Sequence, residues 1–283
     1  MTTYEAPAKL NLSLLVFPPR PDGYHPLESL VQTVEWCDLL HVDRGQHGSD
    51  TLQSDIEDNL VERALRELRK VVAVPPLDLV LEKDIPVAAG LGGGSSDAAA
   101  ALLAGADAAG FPQSELSEVA LIVGADVPLF LTGGSLLMRG VGDEIEPVTP
   151  LHDFACAVVV PEFGLDTKEV YRRWDELEGP QGNEVPDRHL PPPLRGWMPM
   201  RNDLLPAALD LEPRLGDFMA DLAAVWGVPV SLTGSGTACF SYHATLDEAT
   251  DAVAAVSHLI DRGRGVALRD HGVEARPEEE EAV

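Results

Sequence analysis

The chain has 283 residues, 45% hydrophobic and 24% charged, enough to bury a substantial core and to divide into two domains of the usual roughly 100–200 residues. Its 47 acidic residues against 20 lysines and arginines give a formal charge of −27, which excludes a general nucleic-acid-binding surface, because phosphate binding needs a dense positive field, and confines any phosphate site to a local feature. No apolar run approaches the roughly 20 residues that span a bilayer, and Met1 to Leu10 carries neither a signal-peptide nor a transit-peptide pattern, so a cytoplasmic protein with no membrane partner is expected.

Lys9 to Phe17 is an apolar-rich run that breaks at Pro18, Pro19, Pro21 and Gly23, the pattern of a strand entering a turn. A second strand-like run covers Ser29 to Trp36. Asn59 to Val72 places Leu60, Ala64, Leu65 and Leu68 on one helical face, with Asp58 as the expected N-cap. Leu77 to Leu81 has the composition of a buried strand and leads, through a glycine-rich segment, into an alanine-rich helix from Ser96 to Ala109. Glu115 to Val123 is helical in pattern, and Val127-Pro128 is expected to stop that helix and leave Asp126 on a turn. A boundary near Pro150 precedes a buried strand at Phe154 to Val160 and a Pro- and Gly-rich loop from Gly179 to Pro199. Helices then follow at Leu204 to Leu209 and Arg214 to Val225, strands at Val228 to Thr233 and Ala238 to Tyr242, and a helix from Leu246 to Ile260. The expected division is a domain over 1–150, a second over 151–270, and over 271–283 a self-repelling, disordered acidic tail containing Glu278 to Glu281.

Cys37, Cys156 and Cys239 are far apart and set among apolar residues, which suits core packing and offers neither a disulfide framework nor a metal site. The histidines form no ligand-spaced pattern, so no protein-held metal is expected. The segment with chemical content is Pro86-Val87-Ala88-Ala89-Gly90-Leu91-Gly92-Gly93-Gly94-Ser95-Ser96-Asp97, of which Pro86 to Ser96 are the candidate phosphate-binding residues. Backbone without Cβ atoms turns tightly enough for amide N–H groups to converge on phosphate oxygens, and the following helix adds its unpaired N–H groups and positive dipole end. Ser95 and Ser96 add hydroxyls. No Gly-Lys-Ser/Thr follows, and the spacing gives no full G-x-G-x-x-G, so the two commoner nucleotide-binding loops are disfavoured. A merely flexible glycine turn would not be expected to lead straight into a strong helix.

This segment resembles the phosphate-binding signature of the galactokinase, homoserine kinase, mevalonate kinase and phosphomevalonate kinase superfamily. Pro7-Ala-Lys9-Leu-Asn11-Leu, Asp22-Gly-Tyr24-His25, Gly124-Ala-Asp126-Val-Pro128-Leu-Phe130 and Thr233-Gly234-Ser235-Gly236 follow in the order and spacing of one branch of it. The resemblance implies an α+β two-domain kinase, with an N-terminal α/β domain, a C-terminal α+β domain of ferredoxin-like type, and the active site in the cleft between them. It implies ATP, bringing Mg2+ with it, as phosphoryl donor. The implied acceptor is a small cytidine-diphosphate-linked methylerythritol, phosphorylated on its 2-hydroxyl in the non-mevalonate route to isoprenoid precursors. Another small-molecule kinase of the superfamily, or a catalytically silent ATP-binding regulator, is the alternative; a monomer or weak homodimer is expected.

A tertiary hydroxyl needs a base or orienting carboxylate, and the phosphoryl group in flight needs positive charge. By resemblance Asp126 takes the first role and Lys9 the second, Lys9 also keeping Asp126 ionised. Asn11 lies two residues beyond Lys9, on the same face of the strand. Tyr24 and His25 are implied to recognise the cytosine ring by stacking and by hydrogen bonds to its edge. Thr167 and Tyr171 fall in the segment that supplies an aromatic to the ring's opposite face. Asn59 and Lys83 match positions on the adenine side. Each also has an ordinary reading: Lys9 as a strand-edge lysine, Asp126 as a turn residue, Tyr24 and His25 as a loop anchor, Asn59 and Lys83 as surface or helix-start polarity.

Overall fold

The computed structural model of the chain describes residues 1–45, 48–55 and 59–276. Strands β1 (Thr2–Val16) and β2 (Leu27–Arg44) pair antiparallel along their whole length, from Thr2 opposite Val42 to Val16 opposite Leu27. Both outrun their predicted spans because their less regular ends are also paired. β3 (Thr51–Gln53) lies parallel to β4 (Leu77–Glu82), which pairs with the second half of β2. β5 (Ser135–Arg139) pairs with the first half of β2, and β6 (Glu144–Pro147) with β5.

Helices α1 (Leu60–Leu68), α2 (Gly93–Ala109), α3 (Ser117–Val123) and α4 (Val127–Thr132) share a core with one face of this sheet. α2 is buried around most of its circumference, Ala98 to Ala101 being fully inaccessible, as expected for a helix of small apolar residues with no polar face. α1 is capped by Asn59, whose Oδ1 accepts the Val61 N–H at 2.9 Å; the predicted cap, Asp58, lies outside the described residues. α2 begins at Gly93 rather than Ser96, because Gly92 takes the left-handed conformation that starts the turn. α3 stops at Val123 and Asp126 lies on a turn, as expected, but Val127-Pro128 also opens a further helix: α4 starts at Val127, and proline in a first turn sacrifices no helical N–H bond.

The second sheet contains β7 (Ala155–Val160), β8 (Ser231–Leu232), β9 (Cys239–His243) and β10 (Arg262–Ala267) in the antiparallel order β10-β7-β9-β8. Helices α5 (Thr167–Glu176), α6 (Leu205–Leu211) and α7 (Arg214–Trp226) lie between β7 and β8, and α8 (Leu246–Ala255) between β9 and β10. This is a βαββαβ arrangement of ferredoxin-like order with extra helices in its first crossover. Cys156, Val158 and Phe240 meet Leu10, Leu12, Leu30 and Trp36 of the first sheet in one core, so the sheets pack face to face with helices outside. The stretch from Gly179 to Pro199 is pinned by Trp174 Nε1–H donating to the Pro180 carbonyl (2.9 Å), the Val185 N–H donating to Met200 (2.8 Å), and buried Leu190 and Leu194.

Leu246 to Ile260, helical throughout in its sequence pattern, leaves the helix after Ala255, and β10 has no counterpart among the predicted strands. β10 approaches α8 so closely that a Cβ on Gly265 would lie 2.6 Å from the Thr250 nitrogen and 2.7 Å from its Cα. Gly265→Ala is therefore expected to destabilise the fold by about 1–3 kcal/mol through overpacking. That outweighs the roughly 0.5–1 kcal/mol that alanine ordinarily gains over glycine inside a strand. Urea denaturation checks it, and an unchanged midpoint would contradict the close packing.

The expected tail over 271–283 is corrected. β11 (Glu274–Ala275) pairs with Tyr4 and Glu5 of β1, and the Val273 N–H donates to Phe130 at 2.8 Å. Arg269, 3% exposed, anchors the return through Glu5 and Glu35, each at 2.9 Å. Residues 271–276 thus close the edge of the first sheet, while the acidic run Glu278 to Glu281 lies outside the described residues. No helix among the described residues is long and apolar enough to cross a membrane, and they hold no metal-ligand cluster.

Candidate active site

A cleft of about 910 Å³ opens beside β1, bounded by the heads of α2 and α4, by α5 and by the Gly234-Ser235 turn, and every residue from Pro86 to Ser95 lines it. Ala88, Gly90 and Gly92 have positive φ, at 56°, 82° and 76°, which folds the segment into a tight cradle. A Cβ on Gly90 would sit 2.5 Å from the Thr233 carbonyl oxygen, so glycine is required by the approach of the second domain as well as by φ. The cradle is held from both sides: the Lys9 N–H donates to the Leu91 carbonyl at 2.9 Å, and the Ala238 N–H to Ala89 at 3.0 Å. No side chain caps α2, which leaves first-turn N–H groups and the helix's positive end for an anion. Ser95 lines the cleft. Ser96 does not: one turn into a helix that begins at Gly93, it is fully buried and its Oγ has no partner.

Lys9 is 4% exposed, and its Nζ donates to Asn11 Oδ1 and to the Gly90 carbonyl at 2.8 Å. Asn11 is fixed in turn: its N–H donates to Thr233 Oγ1 (2.9 Å) and its Nδ2 to Ser29 Oγ (2.8 Å). Two strand positions on one face thus become a buried polar chain ending at the cleft. Burial holds the Lys9 ammonium below the usual lysine range, while the Asp126 carboxylate pushes it back up. Asp126 acts on Lys9 through space, with no direct ion pair between them. Asp126 sits at the head of α4 with its carboxylate free of any capping bond, facing the cleft.

Tyr24, 66% exposed, stands at the mouth of the cleft, and His25 lies deeper. The His25 ring is 5.4 Å from that of Tyr171 and edge-on to Trp174 at 5.3 Å. Its Nδ1–H donates to the Phe17 carbonyl at 3.0 Å, and its Nε2 is 3.2 Å from Asp175 Oδ2. Recognition of a base edge by His25 therefore requires one of these contacts to be exchanged. Burial, reinforced by Asp126, pushes the Tyr171 phenol up to about 12. Thr167 opens α5 and shares a 2.8 Å hydrogen bond with Ser235 Oγ, tying that helix to the Gly234-Ser235 turn.

Asn59 and Lys83 also line the cleft, but their polar ends are engaged. The Asn59 carbonyl oxygen caps α1, and the Lys83 ammonium is paired with Asp38 and Asp97. Asp38 and Asp175 are absent from the residues that the sequence singles out, and Asp97 closes the glycine-rich segment without a role assigned to it. An aspartate inside the apolar run from Trp36 to Leu40 is a legible anomaly, whereas Asp175, one charge among several on α5, carries no signal.

The description "GHMP kinases N terminal domain" matches residues 59–134. A 4-diphosphocytidyl-2-C-methyl-D-erythritol kinase of Rhizobium johnstonii is 39% identical over 272 residues, covering 90% of this chain and 88% of its own length. One from Acidovorax sp. is 39% identical, covering 83% and 85% respectively. The crystal structure of a 4-(cytidine 5'-diphospho)-2C-methyl-D-erythritol kinase superposes with a TM-score of 0.81 at 33% identity, covering 94% of this chain and 98% of the other. A homoserine kinase from Cytophaga hutchinsonii shares the fold at a TM-score of 0.67 and 16% identity, covering 97% of each chain. With cradle, lysine and carboxylate on one cleft and relatives alike over nearly their whole length, the chain belongs to the 4-diphosphocytidyl-2-C-methyl-D-erythritol kinase family of the GHMP kinases.

Proposed function

We infer that the protein transfers the γ-phosphoryl group of ATP to the 2-hydroxyl of 4-diphosphocytidyl-2-C-methyl-D-erythritol, a step of isoprenoid precursor synthesis. The observation that carries the chemistry is the meeting of Lys9, Asp126 and the Pro86–Ser95 cradle on one cleft. The cradle's amides and the positive end of α2 hold the polyphosphate, and Mg2+ arrives as part of the Mg-ATP substrate. Asp126 accepts the hydroxyl proton as that oxygen bonds to the γ-phosphorus, and the bond to the β–γ bridging oxygen breaks to release ADP. Lys9, anchored by Asn11 and the Gly90 carbonyl, stabilises charge on the equatorial oxygens. Tyr24, His25 and Tyr171 form the site for the cytosine ring, with Thr167 and Lys168 beside the path to the cradle.

ADP release with Mg-ATP, measured in parallel with the cytidylyl substrate, homoserine, mevalonate and galactose, tests this reading. Turnover confined to the cytidylyl substrate supports it; turnover with another acceptor keeps the kinase and removes the substrate; nucleotide binding without turnover indicates a silent regulator.

The environment of Lys9 sets a pH dependence. A buried ammonium held below the ordinary lysine value of about 10.4 loses its proton earlier as pH rises, so kcat should fall along an alkaline limb centred below that value. Tyr171 titrates too high to be its source. Measurement of kcat from pH 7 upward checks this, and a flat profile up to the ordinary lysine value would remove the dependence on charged Lys9.

A further inference from the structure

Directly beneath the first residue of α2 lies a cluster that the transfer step does not use. Asp38 is fully buried and Asp97 is 2% exposed, and both accept hydrogen bonds from the single Lys83 ammonium, Asp97 Oδ2 at 2.6 Å. Asp38 Oδ1 also accepts the Asp84 and Ile85 N–H groups at 2.6 and 2.8 Å, so this carboxylate is fully served. Asp97 Oδ1 is buried with no partner. An ionised carboxylate with a dry, unpaired oxygen beside a second carboxylate is costly, and a proton held on Asp97 removes the charge that makes it so.

We propose that Asp38, Lys83 and Asp97 form a neutral, proton-holding cluster that positions the first turn of α2 for the ATP polyphosphate, with Asp97 and Lys83 as positioning residues; this rests on the kinase reading above. A Cβ added to Gly93 would lie 3.2 Å from Lys83 Nζ and 3.3 Å from Asp38 Oδ2, so the cluster fills the space under the cradle. Burial holds the Asp97 carboxyl well above the ordinary carboxylate range, with Lys83 pulling it down and Asp38 pushing it up. Loss of the Asp97 proton puts a net negative charge beneath a site that must receive a polyanion.

The other charges nearby are occupied elsewhere. Lys9, whose Cγ would lie 3.1 Å from a Cβ on Gly92, turns its ammonium to Asn11 and Gly90. Asp84 faces Arg262 and Arg264 at 2.6 and 2.7 Å, the Cys37 thiol faces Arg269, and α1 buries only Val61, Ala64, Leu65 and Leu68.

Calorimetric binding of a non-hydrolysable Mg-ATP analogue to the full chain, from pH 6.5 to 9, tests the proposal, with CDP as probe of the other subsite. For the wild type, Kd for the analogue should rise with pH by up to about tenfold per unit once the proton is lost, while Kd for CDP stays level. D97N has no proton to lose and should show no such slope. K83Q, lacking the ammonium that pulls Asp97 down, should move the rise to higher pH, which separates positioning from simple misfolding. An equal slope in D97N and wild type, no slope in the wild type, or an unmoved rise in K83Q would overturn the proposal. A wild-type protein that binds neither probe would overturn the kinase reading itself.

Discussion

Asp126→Asn is expected to lower kcat by about 10³-fold while leaving the affinity for Mg-ATP nearly unchanged. The carboxamide keeps the shape of the carboxylate but accepts no proton from the substrate hydroxyl and carries no charge. Its structural cost is small, because Asp126 makes no capping bond to α4 and the proline in the first turn holds the helix start independently. A second consequence separates lost chemistry from lost folding. The carboxylate is the group that pushes the Lys9 ammonium back up against burial, so its removal should move the alkaline limb of the residual activity to lower pH. ADP-release kinetics across pH, alongside calorimetric ATP binding, measures both effects. Near-normal kcat would take Asp126 out of the mechanism; a large loss with an unmoved limb would leave it in and dissolve its coupling to Lys9.

How far the sequence discloses the fold and the site depends on the range of the interactions involved. The glycine segment, its place between a strand and an alanine-rich helix, and the pairing of Lys9 with Asn11 on one strand face are local patterns, and the structure brings these residues to one cleft. Local propensity misplaces the start of α2 because glycine is a poor helix former, yet Gly92 and Gly93 are tolerated where Phe130, Lys9, Ile85 and Asp38 crowd the backbone. Ser95 and Ser96 look equivalent in sequence, and only the true helix start decides that one faces the cleft and the other the core. Val127-Pro128 tells only half its story: the stop after Val123 is readable, but that proline also begins α4 is settled by the packing of Leu129 and Phe130 into the core. β10 and β11 are nearly invisible: Arg262-Gly263-Arg264-Gly265 alternates, but with no apolar residue to mark a buried face, and Glu274–Ala275 belongs to a sheet edge whose other strand lies at the opposite end of the chain. Lys83 shows the same limit for the site. Its position is readable, but the fate of its ammonium depends on Asp38 and Asp97, carried on other elements.

Lys9→Ala is the second large effect, an expected loss of about 10²–10³ in kcat, the range found when a preorganised donor to transition-state charge is removed. Part of any loss will be structural. Without the ammonium, the Gly90 carbonyl and Asn11 Oδ1 lose a buried donor, which costs about 1–3 kcal/mol for each acceptor left unsatisfied. Lys9→Arg is no conservative control, because the Lys9 stem runs so close to the Gly92 backbone that a Cβ there would lie 3.1 Å from its Cγ, and a planar fork cannot replace a compact ammonium there. A thermal melt of the variant, with kcat taken well below its midpoint, separates stability from chemistry. The stronger discrimination is the double variant with Asp126→Asn. If Lys9 acts on the same transferring group that Asp126 prepares, and is itself held charged by Asp126, the two losses cannot add, and the double variant should be little worse than the poorer single one. A loss equal to the product of the two would mean that Lys9 serves mainly to hold Gly90 in the cradle, and its effect would then reappear as weaker Mg-ATP binding.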